Sequence, residues 1–213
     1  MNEILLEDNH LLIVVKPFGV ATQTEPDGTK GLEDSLKAFI KVRDNKPGQV
    51  YLHAVHRIDK PVAGIVVFAK SQKALSRCSE SIRNNLWVKE YQALVEGECS
   101  STGVITHYLQ REQDRVYAFK EKTPVRQEAQ LEIVEAKPQG KNSRLSIRLI
   151  TGRHHQIRAQ LAALGHPILG DVKYGSKQPY KPNAIALIHS KLQLPHPVTK
   201  EILKLVCQLE FYL

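Results

Sequence analysis

Apolar residues in this chain fall into short runs and alternations separated by turn residues. Leu11 to Val15 is a continuous apolar run, which predicts a buried strand. Lys16-Pro17-Phe18-Gly19 ends it, because proline lacks a donor and glycine permits a positive φ. Leu32, Leu36, Phe39 and Ile40 recur at helical spacing and predict a helix over Leu32 to Arg43. Asp44 to Gly48 is a polar loop, and Ile65 to Ala69 a second apolar strand. Ser71 is placed to cap a helix with apolar positions Ala74, Leu75, Cys78, Ile82 and Leu86. The pattern then changes period. Glu90 to Glu96 alternates, with Tyr91, Ala93 and Val95 on one face, and Gln130 to Glu135 and Arg144 to Leu149 alternate too. A further helix is expected from near Thr151 to Leu164, stopped by Gly165. Ala186 to Leu194 and Leu203 to Leu209 complete the pattern as strands.

About seven strands with few helices between them predict an α+β fold, a largely antiparallel mixed sheet flanked by helices and loops. No strict βαβ alternation, internal repeat or linker is visible, so residues 1–213 are expected to form a single domain.

Composition adds one strong statement. Thirty Lys and Arg against 22 Asp and Glu give a net charge of +8. That balance suits a polyanionic partner, since cationic surfaces gain affinity by releasing counterions from nucleic acid. The cations are spread along the chain, so the fold must assemble any footprint. Cys78, Cys99 and Cys207 are far apart and show no Cys-x-x-Cys pair, which argues against a disulfide framework or a zinc site. No signal-peptide pattern or membrane-length apolar run is present, and a cytoplasmic setting is expected.

Two segments carry candidate chemistry. His56-Arg57-Ile58-Asp59-Lys60-Pro61 precedes the strand at Ile65 and places Asp59 in a loop beside two cations. Such a carboxylate can serve a cleft; it can equally pair with Arg57 or cap a turn. Thr151-Gly152-Arg153-His154-His155-Gln156-Ile157-Arg158 joins a strand to a helix. Arg153, expected in the first helical turn, and Arg158 suit phosphate or carboxylate contacts; a solvated basic face is the alternative. His154, Arg158 and Leu161 are expected to share a helical face. The adjacent histidines point about 100° apart on a helix, which disfavours one shared metal ion, and no metal is expected. Gly165 to Gly175, with three glycines and a proline among its residues, reads as a tightly turned loop.

Taken in order, these segments resemble the RluA-type RNA pseudouridine synthases over nearly the whole chain. Asp8 to Val20 is similar to the family's first motif, with its Lys-Pro-x-Gly turn. His56 to Gly64, followed by Phe68-Ala69-Lys70, resembles the motif holding the catalytic aspartate, here Asp59. Lys89 to Gly97 resembles the motif with the active-site tyrosine, here Tyr91. Thr151 to Arg158 and Gly165 to Gly175 resemble the third, whose basic active-site residue falls on Arg158. His56, Arg57, Arg153, His154, Gln156 and Ile157 lie within the same motifs and are expected at the substrate. The chain departs from the pattern in three places. Val62-Ala63 stands for a Thr-Ser pair, His154 for a threonine, and Ala159-Gln160 follows Arg158 where a histidine is usual. No S4-like module is visible.

The resemblance implies a pseudouridine synthase catalytic fold, acting on ribosomal or transfer RNA as a monomer, with no cofactor and no role for DNA or a membrane. The reaction breaks the bond from ribose C1′ to uracil N1, turns the base and joins C5 to C1′. Asp59 acts as nucleophile or as the base of an elimination, and both routes stay open. A non-catalytic RNA-binding protein or chaperone is the main alternative. A small hydrolase using Asp59 with His56 is a second, weakened by the absence of Gly-x-Ser-x-Gly, Walker and zinc-helix patterns.

Overall fold

A computed structural model describes residues 3–211. They fall into two compact units. One comprises residues up to Trp87 together with His189–Gln208; the other comprises Val88–Ile188 and the residues from Leu209 on.

The first unit begins with the antiparallel pair β1 (Ile4–Glu7) and β2 (Leu11–Lys16). Asp8 Oδ1 closes their turn by accepting the N–H groups of His10 and Leu11 at 2.6 and 2.7 Å. Helix α1 (Leu32–Arg43) follows, then the short β3 (His53–Ala54), β4 (Ala63–Ala69) and helix α2 (Gln72–Arg83). The α1 boundaries are those the spacing predicts, and Ser71 caps α2 by accepting the Ala74 N–H at 3.2 Å. Strand β4 runs antiparallel to β2, from Leu11 opposite Ala69 to Lys16 opposite Gly64. Every residue of β2 and β4 is buried, which is why both read as unbroken apolar runs rather than alternations.

The second unit is an antiparallel sheet of β5 (Val88–Glu96), β6 (Gly103–Glu112), β7 (Arg115–Phe119), β8 (Gln127–Gln139) and β9 (Asn142–Leu149). Its order is β5-β9-β8-β6-β7. Helix α3 (Gln156–Ala163) and a single 3₁₀ turn, Val172–Tyr174, complete it. β10 (Leu187–Pro195) begins here and continues into the first unit, where it pairs antiparallel with β11 (Ile202–Val206).

The structure corrects the expected strand count: β1, β3, β6 and β7 carry no pattern strong enough to predict them. In β6 only His107 and Leu109 are buried, so its alternation is confined to the middle. Strand β8 runs beyond Glu135 through Pro138, past a register shift between Ile133 and Glu135. The start of α3 is also corrected. His155 has φ +50, a left-handed conformation that cannot lie inside a right-handed helix, so the helix begins at Gln156 rather than near Thr151. Arg153 and His154 therefore precede the helix. They occupy neither its first turn nor a face shared with Arg158. At its other end Gly165 has φ +86, a conformation glycine adopts without steric penalty. Cys78, Cys99 and Cys207 are all buried thiols.

Candidate active site

In the first unit Asp59 lies four residues before β4, half-buried, in a loop pinned on both flanks. On one side Thr22 Oγ1 donates to the Ile58 carbonyl at 3.0 Å and accepts the Ile58 N–H at 3.4 Å. On the other, the Lys60 carbonyl accepts the Gly19 N–H at 2.9 Å and a Lys16 Nζ hydrogen at 3.2 Å. The Val62 N–H closes a turn onto the Asp59 carbonyl at 3.0 Å. A loop backbone held this way loses little conformational freedom on meeting a substrate.

Lys16 is fully buried, and its ammonium also donates to the carbonyls of Pro17 and Val20 at 3.0 and 2.6 Å. Burial pushes its pKa down to about 7, opposed by the negative charge of Asp59. The lysine of the Lys-Pro-x-Gly turn thus ties that turn to the Asp59 loop. Sequence reasoning gave Lys16 no role. The available signal was a lysine directly after a buried apolar run. His56 accepts the Val67 N–H through Nε2 at 3.2 Å and lies edge-on to Trp87 and His189. Arg57 is exposed.

In the second unit Tyr91 lies on β5 opposite Ile147 of β9 and is 7% exposed. The segment Thr151 to His155 is a turn organised by Gln156. Its Oε1 accepts the Thr151 hydroxyl at 2.8 Å and the Arg153 N–H at 3.0 Å, and its Nε2 donates to the Gln130 carbonyl at 2.9 Å. Gln156 and Ile157 are buried, so Gln156 shapes the turn from inside and Ile157 packs the core. Arg153 and His154 are exposed, and the His154 ring stacks on His155 with centroids 3.9 Å apart.

Arg158 is buried on α3 and forms a two-point pair with Asp171, Nε to Oδ2 at 2.7 Å and a terminal nitrogen to Oδ1 at 2.8 Å. Planar guanidinium and planar carboxylate match in this fork geometry, which fixes the direction of the group as well as its place. Asp171 belongs to the glycine-rich loop after α3, whose sequence showed only that it turns tightly. Each expected site residue is thus built into the scaffold or presented by a turn it supports. His56, Arg57 and Asp59 belong to the first unit; Tyr91, Arg153, His154, Gln156, Ile157 and Arg158 belong to the second.

Residues 10–163 match the family model described as RNA pseudouridylate synthase. The chain belongs to the RNA pseudouridylate synthase family. The RNA pseudouridine synthase YhcT of Bacillus subtilis is 34% identical over 205 residues, covering 94% of this chain and 66% of that protein. Ribosomal large subunit pseudouridine synthase C of Buchnera aphidicola is 32% identical over 226 residues, covering 100% of this chain and 68% of the relative. The dual-specificity RNA pseudouridine synthase RluA of Haemophilus influenzae is 29% identical, and there the match covers 98% of this chain and 94% of the relative. The chain thus spans about two thirds of the first two relatives and nearly all of the third. These matches bear out the RluA-type resemblance. A solved structure, human RNA pseudouridylate synthase domain containing 4, superposes with a TM-score of 0.79 over 98% of this chain and 88% of its own, at 23% identity. The fold is therefore that of the pseudouridine synthases, as the motifs implied.

Proposed function

We propose that the protein converts specific uridines in structured RNA, ribosomal or transfer, to pseudouridine, with Asp59 acting on the ribose. The observation that carries this reading is the loop pinned at Ile58 and Lys60, which fixes the backbone of Asp59 within the family-matching stretch. The uridine must leave its stack to reach a carboxylate, at a cost of a few kcal/mol. Cations such as Arg57 and Arg153, both exposed, offset that cost at the phosphates. Asp59, ionised, attacks C1′ or removes a ribose proton, and the C1′–N1 bond breaks. The base turns and C5 bonds to C1′ as the Asp59–C1′ bond breaks or, in the elimination route, as the ribose proton is returned. The C5 proton is lost while N1 gains one, so the product is an isomer of the substrate. Tyr91 stacks on the turned base and its hydroxyl serves the proton transfer at C5. Arg158 orients the reacting groups. His56, His154, Gln156 and Ile157 shape the surface that receives the nucleotide. The reading takes residues 1–213 as one catalytic domain, acting as a cytoplasmic monomer on RNA rather than DNA. Among the described residues, no helix is long and apolar enough to cross a membrane.

Asp59→Asn tests this. The amide is nearly isosteric but a far poorer nucleophile and base. Purified variant should form no detectable pseudouridine in total RNA from cells lacking the gene, while RNA affinity stays within about tenfold, or about 1.4 kcal/mol. Wild-type yields from Asp59→Asn protein, with deamidation excluded by mass spectrometry, would remove Asp59 from the chemistry, whereas no pseudouridine from the wild-type protein at intact RNA affinity would favour an RNA-binding or chaperone role instead.

A further inference from the structure

The loop after α3 grips Arg158 from two directions. Asp171 holds the guanidinium edge through two hydrogen bonds, while the ring of Tyr174 lies 4.9 Å from the guanidinium carbon. These two side chains come from one tight turn, in which the Tyr174 N–H donates to the Asp171 carbonyl at 2.9 Å. Asp171 stands just before the 3₁₀ turn and Tyr174 at its last position, and both side chains reach the same guanidinium. Tyr174 is itself fixed. It is 4% exposed, its oxygen accepts the Val116 N–H at 3.1 Å and lies 2.9 Å from His155 Nδ1, and Arg115 covers its ring at 5.3 Å. A flat cation held at its edge and over its face keeps only one orientation. Asp171 also offsets the charge of Arg158, so what the pair offers is donor direction more than net positive charge.

We propose that Asp171 and Tyr174 form a clamp that positions Arg158, and that the π-face of Tyr174 is the part of the clamp that sets the turnover rate. This rests on the reading of Arg158 as an active-site residue. Tyr174→Phe and Tyr174→Met both lose the hydroxyl and keep the bulk, but only phenylalanine keeps the face that attracts the guanidinium. Single-turnover pseudouridine formation should stay within about threefold of wild type for Tyr174→Phe and fall at least about thirtyfold for Tyr174→Met, which is about 2 kcal/mol. RNA affinity should remain within threefold in both, and circular dichroism checks that both fold. Tyr174→Leu takes the place of the methionine variant if that protein does not fold. In an Arg158→Lys background, which lacks both fork and stacking surface, Tyr174→Met should slow the reaction by less than threefold more. Equal slowing of Tyr174→Phe and Tyr174→Met, or full additivity with Arg158→Lys, overturns the clamp and leaves the reading of Arg158 standing. Wild-type turnover by Arg158→Lys removes that reading, and the clamp's role with it.

Discussion

Gly64, five residues after Asp59, cannot carry a side chain without moving β10. Its φ is +119, outside the conformations open to other L residues. A Cβ there would lie 2.6 Å from the His189 backbone nitrogen and 2.8 Å from its carbonyl carbon, with the carbonyl oxygen closer still. Neither side can yield cheaply, because Gly64 is in register with Lys16 on β2 and His189 is fully buried on β10. A backbone conformation reserved for glycine costs about 1–3 kcal/mol, and overpacking a fixed neighbour about 1–3 kcal/mol more. For Gly64→Ala we expect a loss of about 4 kcal/mol. At about 2–4 °C per kcal/mol for a chain of this size, the melting temperature should fall by about 8–16 °C. Gly48→Ala is the control, since an added Cβ meets nothing within 4 Å there, and it should melt within about 2 °C of wild type. Differential scanning calorimetry of the three proteins decides the matter. A Gly64→Ala protein melting within 3 °C of wild type would show that β10 yields easily, and the steric account of this glycine would be wrong.

RNA affinity should weaken steeply between low and moderate salt, since the chain carries +8 and phosphate contacts dominate such binding; an affinity flat over 50–200 mM salt, by filter binding, would count against an RNA substrate. Lys16 supplies a pH signature. Its folded pKa of about 7 lies below the ordinary 10.5, so the unfolded chain binds the proton more tightly between those values and stability rises with pH across that window. The full gain is at most about 5 kcal/mol, and Lys16→Met should flatten the rise measured by urea unfolding from pH 6 to 9.5, whereas parallel pH profiles in the two proteins would refute it.

What the sequence revealed depended on how local the cause was. The boundaries of α1 and the cap of α2 follow from spacing and from one serine, and both are where the pattern placed them. Asp59 and Arg158 stood out because the resemblance assigns each a role within its motif. Their supports did not, because those supports are long-range. Thr22 meets Ile58 and Lys16 meets Lys60 only once β2 and β4 have paired. Asp171 and Tyr174 read as parts of a turn until α3 packs against them. The late start of α3 was hidden for a related reason. Thr151, Arg153 and Gln156 carry no helix-breaking signal, yet their hydrogen bonds with one another and with Gln130 stabilise a turn that a helix would have to break.

The three departures from the family pattern separate by burial. Val62 and Ala63, where the pattern has hydroxyl residues, are 2% and 0% exposed at the head of β4. Ala159 and Gln160 are 3% and 0% exposed, and Gln160 donates inward to the carbonyls of Ile105 and Ala129 at 3.3 Å. His154 alone among them is exposed. A buried position changes what the core must satisfy, while an exposed one changes what a nucleotide meets. Restoring a hydroxyl with Val62→Thr should therefore act on stability, at about 1–3 kcal/mol for a polar group placed among apolar neighbours, and leave the choice of uridines unchanged. His154→Thr should do the reverse, keeping the melting temperature within about 2 °C while redistributing modification among uridines, because a stacked imidazole is exchanged for a small hydroxyl at the surface. Pseudouridine maps from cells expressing each variant, read beside their melting curves, separate the two. If Val62→Thr shifted the map with an unchanged melting temperature, burial would be the wrong criterion for sorting these positions.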